Sequence, residues 1–71
     1  GRDASEHLYL ALNAFWEPLR FELPHLAGRA WHRAIDTARP APEDILPPIE
    51  APIVVGAYDV QPRSILVLAA R

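Results

Sequence analysis

The sequence predicts an all-β fold, a small antiparallel β domain, and three observations carry that expectation. Apolar residues alternate with others over Leu8–Asn13 and again over Leu19–Leu23, on either side of a compact aromatic and polar turn, which reads as a β-hairpin. The β-branched run Ile53–Val60 and the apolar run Ile65–Ala70 flank Gln61-Pro62-Arg63-Ser64 and read as a second hairpin. Proline recurs between these blocks, where it denies backbone donors and favours extended structure.

In chain order, residues 1–6 are polar and read as a flexible N-terminal segment or linker, so the domain proper is expected over 7–71. In the first strand Leu8, Leu10 and Leu12 point one way and Tyr9, Ala11 and Asn13 the other. Leu8, Leu12, Phe15 or Trp16, and Leu19 also fall at helical spacing, with Ser5 as a potential cap; Leu8 then stands where a capping box wants an acid. Pro18 interrupts a helical ladder and favours the strand, and beyond it Leu19, Phe21 and Leu23 alternate with Arg20 and Glu22. Pro24–Gly28 reads as a reversal. The next strand puts Trp31, Arg33, Ile35 and Thr37 on one face, a mixture that suggests an edge strand or a register change. A Pro-rich loop follows at 39–52, where Ile45, Leu46 and Ile49 can tuck into one end of a sandwich. Gly56 marks a bulge or a close neighbouring strand, and Pro62 suits the first central position of a type I turn. No internal repeat is present.

The chain has 71 residues, enough for one small domain and too few for a catalytic domain with an enclosed substrate cavity. At this size apolar burial and ordering cost nearly cancel, so stability is expected to be marginal. With no cysteine there is no disulfide staple, and the expectation is a chain that relies on its core or on neighbours. Seven arginines, no lysine and nine carboxylates give a net charge of -2 without a basic block, which argues against nucleic acid as a partner. No apolar run approaches the roughly 18 residues of a membrane span, and no secretory signal pattern is present. The expectation is no membrane partner and a cytoplasmic location. An initial Gly1 and the lack of methionine suggest a processed or excised piece of a longer protein.

Few residues offer chemistry. His7, His25 and His32 lie 18 and 7 positions apart, which makes no short metal clamp, and His32 with Asp36 would face each other only on a helix. Glu17 with Glu22, or Asp36 with Asp59, can in principle supply the acid and base of a glycosidase if folding brings them together. Strand ends, a turn and a wet face are their more ordinary settings. There is no nucleophile elbow, cysteine nucleophile or glycine-rich phosphate cradle, and no cofactor is expected. Trp16 and Trp31, and with less weight Tyr9 and Tyr58, are the residues able to stack on sugars or to fill a core or interdomain contact.

The run Leu12-Asn13-Ala14-Phe15-Trp16-Glu17-Pro18-Leu19-Arg20-Phe21-Glu22-Leu23-Pro24, followed by Trp31-His32-Arg33-Ala34-Ile35-Asp36-Thr37-Ala38, resembles the C-terminal domain of bacterial glycogen-debranching enzymes of the isoamylase type. Tyr58-Asp59-Val60-Gln61-Pro62-Arg63-Ser64-Ile65-Leu66-Val67-Leu68 is similar to that family's final hairpin, with an Arg-Ser step into an apolar strand. These enzymes belong to the α-amylase superfamily, glycoside hydrolase family 13. They hydrolyse α-1,6 branch linkages in glycogen, limit dextrins or related glucans, using an aspartate nucleophile and a glutamate acid/base in a (β/α)8 barrel. The resemblance therefore implies a small antiparallel β-sandwich of Greek-key type that follows the barrel. It transfers no catalytic residue, since none of the barrel's motifs occurs here. It implies a noncatalytic C-terminal domain that stabilises the debranching enzyme, with the missing barrel of the parent chain as partner; the alternative is an auxiliary module with weak α-glucan binding. Trp16, Trp31 and Tyr58 are the residues expected to pack on the barrel or touch glucan.

Overall fold

Strands as short as these each bury one face, so the chain must build two layers to shelter them. The computed structural model describes residues 7–71, and the expected N-terminal segment at 1–6 lies outside the described residues. Six strands form among the described residues: β1 (His7–Asn13), β2 (Leu19–Glu22), β3 (Trp31–Asp36), β4 (Ile53–Val54), β5 (Ala57–Val60) and β6 (Ser64–Ala70). They assemble into a four-stranded sheet ordered β1-β6-β3-β4 and a two-stranded sheet β2-β5, all pairs antiparallel. The result is an all-β, sandwich-like fold with no α-helix among the described residues, and no helix there is long and apolar enough to cross a membrane. The core sits beneath β6, whose Leu66, Leu68 and Ala70 meet Ala11, Trp31 and Val60.

Neither expected hairpin forms. β1 pairs along its whole length with β6, from His7 opposite Ala70 to Asn13 opposite Ser64, while β2 pairs with β5. The residues of 14–18 carry the chain from one sheet to the other instead of folding it back. A hairpin would have left both strands in one layer with their inner faces uncovered; crossing lets each sheet roof the other. For the same reason Ile53–Val60 is two strands in different sheets. The break falls at Gly56, whose φ of +79° is open to glycine at no steric cost.

β3 is not an edge strand: it lies between β6 and β4. The expected register change does occur, between Arg33 and Ile35. This bulge separates residues that strict alternation would put together, so Trp31 and Asp36 are both buried while Ile35 stands opposite Val67. In the Pro-rich segment, Asp44–Leu46 runs beside β3, with Asp36 N donating to Asp44 O at 2.9 Å and Leu46 N to Ala34 O at 2.8 Å. A 3-10 turn at Pro48–Glu50 follows. Only Leu46 of the three apolar residues tucks in; Ile45 and Ile49 remain exposed. Arg63 has φ +53°, so the turn before β6 has the positive third-position angle of type II rather than the expected type I.

Candidate functional site

The sheet face turned away from the core is made by β1 and β6. Antiparallel register sets Leu8 opposite Ala69, Leu10 opposite Val67 and Leu12 opposite Ile65. All six are apolar, and Leu8, Leu10 and Leu12 are 66%, 70% and 66% exposed. The leucines that look most like core residues are therefore outside, while Ala11 and the amide of Asn13 are inside. On the neighbouring part of this face the turn around Pro48–Ala51 approaches the sheet: His32 Nδ1 lies 3.3 Å from Ala51 O, and the Arg71 guanidinium donates to Pro48 O. β1 is also an edge strand, seven residues long, without proline, lysine or a bulge to blunt it.

The structure places Trp16, Trp31 and Tyr58 in three different settings. Trp16 is 68% exposed at the loop after β1, with its ring 5.7 Å from that of Phe15 and inclined to it by 54°. Trp31 is only 7% exposed. Its indole N–H donates to Pro24 O at 2.9 Å and its ring meets Tyr9 edge-on at 5.7 Å, so it secures the reversal after β2 against the core. Tyr58 is half-buried, and its hydroxyl donates to Asp36 Oδ2, tying β5 of one sheet to β3 of the other. Ala38 N donates to Asp36 Oδ1 at 3.0 Å, and Arg39 Nε lies 3.6 Å from Oδ2. The Arg39 guanidinium is held above its ordinary pKa, first by hydrogen bonding with Tyr58 and further by the nearby charges of Asp36 and Glu43. Asp36 is thus a structural acceptor with its oxygens engaged.

The other carboxylates are dispersed. Glu17 and Glu22 are exposed, and Asp59 forms a surface pair with Arg20 at 3.6 Å. Among the described residues no group of three or more His, Cys, Asp or Glu is placed to hold a metal ion. His7 and His25 are exposed.

The sequence marks Asn13 as able to bond local backbone in the turn, as it does at Phe15 N and Glu17 O, but shows neither its reach to the end of β5 nor the outward direction of the leucines. Asn13 is fully buried, and its Nδ2 lies within hydrogen-bond reach of Glu17 O (2.8 Å), Val60 O (2.9 Å) and Gln61 O (3.2 Å). Its Oδ1 accepts from Phe15 N at 2.9 Å. A single amide thereby fastens the aromatic loop to the end of β5. The signal for it was an asparagine at the inward end of a strand just before an aromatic turn, where Asx geometry is common.

These features define a small β-sandwich domain that carries an exposed apolar sheet face on β1 and β6 and an exposed aromatic loop after β1. Comparison with known families agrees: the profile described as "Isoamylase 1-3, C-terminal" matches residues 2–63, and the chain belongs to that family. It is a non-catalytic C-terminal auxiliary domain of an isoamylase-type enzyme of glycoside hydrolase family 13, and so part of a larger, multidomain chain. No curated protein and no solved structure matches the chain.

Proposed function

We propose that this domain stabilises a cytoplasmic glycogen-debranching α-1,6-glucosidase by laying the outer face of β1 and β6 on the enzyme's (β/α)8 barrel, with residues 1–6 joining 7–71 to what precedes. The observation that carries this reading is the row of Leu8, Leu10 and Leu12 opposite Ile65, Val67 and Ala69. Contiguous apolar faces of this kind mark contact surfaces. Covering a leucine fully is worth about 1.5–3 kcal/mol, so such a face contributes usefully to holding two domains together. Trp31 and Tyr58 serve the same end from within, by keeping the sheets aligned under that face.

Leu10→Arg tests it. In the separate domain Leu10 is already in water, and the change is expected to shift stability by no more than about 0.5 kcal/mol. In the parent enzyme the same charge would be buried at the domain contact, where it is expected to cost about 3 kcal/mol or more in thermal or urea unfolding. Equal effects in both settings would refute docking through this face. A second reading, weak α-glucan binding by the domain, is favoured by the exposure of Trp16.

A further inference from the structure

The reversal after β2 and strand β4 border a cleft of about 350 Å³ that the fold leaves unfilled. Its walls are mostly apolar, with Leu23, Leu26, Trp31, Ile53 and Val54 among them. Among the described residues, Arg29 is the only arginine lining it, and no aspartate or glutamate does. Arg29 is half-buried and its Nη1 is closed off from water without a hydrogen-bond partner. No carboxylate of the described residues stands within ion-pair distance of it. A guanidinium does not shed its proton, so it cannot escape such a position by turning neutral. Burying a charge without a counter-charge is unfavourable, and an anion in the cleft relieves that cost. Arg33 provides the contrast. Its Nε is also buried without a partner, but Glu43 and Glu50 line the same cleft as Arg33, so the chain itself supplies negative charge there.

We propose that the Arg29 cleft binds a small monocarboxylate with an apolar body, aromatic or branched aliphatic, whose carboxylate pairs with Arg29. The site does not depend on docking through the leucine face. One arginine without a second matches a single negative charge, and the leucine, isoleucine and valine walls match an apolar body. A polyhydroxylated ligand needs hydrogen-bonding groups that such side chains do not offer. Size selects the occupant. At roughly 30 Å³ for a water-sized group, the cleft has room for about a dozen, more than one acidic side chain of the parent enzyme fills. The walls are set in advance: the Trp31 indole N–H donates to Pro24 O at 2.9 Å, and Leu23 N donates to Gly56 O at 2.9 Å. Binding therefore costs little ordering of the protein.

The test is isothermal titration of 3-phenylpropionate into the full parent enzyme, as wild type, Arg29→Gln and Arg29→Lys, with uncharged 3-phenylpropanamide as the control ligand and a thermal melt of each variant. The expected result is saturable binding of the acid by the wild type. The amide, and the acid with Arg29→Gln, are expected to bind about tenfold more weakly or worse, as loss of a charged hydrogen bond implies. Arg29→Lys, which keeps the charge and loses the planar fork, is expected to fall between. Equal binding of acid and amide by the wild type overturns the proposal, and that comparison stands even if Arg29→Gln fails to fold. Undiminished binding of the acid by a folded Arg29→Gln overturns it too, by placing the ligand elsewhere. So does a wild-type enzyme that binds no acid. In that case, titrating the 71-residue chain alone tells why: binding there means that residues of the parent already fill the cleft.

Discussion

Asn13 shows how much one residue can hold. Its amide is completely buried, and its two N–H donors serve two separate segments, Glu17 O on the loop and the Val60 and Gln61 carbonyls at the end of β5. Removing a donor that leaves a buried acceptor unpaired costs about 1–3 kcal/mol. Asn13→Ala is therefore expected to lower the urea midpoint by the equivalent of about 3 kcal/mol, and to raise hydrogen exchange at Phe15 N. Tyr58→Phe keeps the ring and removes the donor to the buried Asp36 carboxylate. We expect a loss of about 1.5–3 kcal/mol, the value of a hydrogen bond to a charged group, measured by thermal unfolding. Arg63 acts in the opposite sense. Its φ of +53° is strained for any residue with a Cβ, by about 1–2 kcal/mol. Glycine relieves that strain but enlarges the unfolded ensemble, so Arg63→Gly is expected to stabilise the chain by about 0.5 kcal/mol net, read as a small rise in the denaturation midpoint.

At the scale of elements, β1 carries the functional argument. Its alternation is evident in the sequence, and its two faces divide as alternation requires. Which face turns inward was not legible, because hydropathy favours the leucines. β6 decides it: Leu66 and Leu68 already fill the space between the sheets, leaving room on β1 for Ala11 and for an asparagine able to bond β5. Replacing Leu8, Leu10 and Leu12 together by threonine is therefore expected to leave the isolated domain folded. Stability should change by less than about 1 kcal/mol in urea unfolding, since threonine suits an exposed strand position. A collapse of the fold in this variant would show the leucines to be core. The bulge between Arg33 and Ile35 was legible as an irregularity, because an indole, an arginine and an isoleucine on one face do not make a coherent surface. Its direction became visible only once β6 had set the register.

For the whole molecule, the all-β class and the positions of most strands follow from alternation, proline and β-branched runs, and the family from three blocks of residues. Local pattern records which residues share a face and where the chain must turn, since both depend on neighbours within a few positions. Pairing partners depend on contacts far apart in the chain. Thus β1 with β6 and β2 with β5, in place of two hairpins, emerged only with the tertiary structure, where burial of both inner faces is satisfied at once. The settings of Trp16, Trp31 and Tyr58 divide in the same way. The sequence by itself determined that these rings were available to pack or to bind. The tertiary structure alone decided that Trp31 lies within, that Tyr58 bonds the buried Asp36 and that Trp16 faces water, because exposure depends on what the rest of the chain brings to each position.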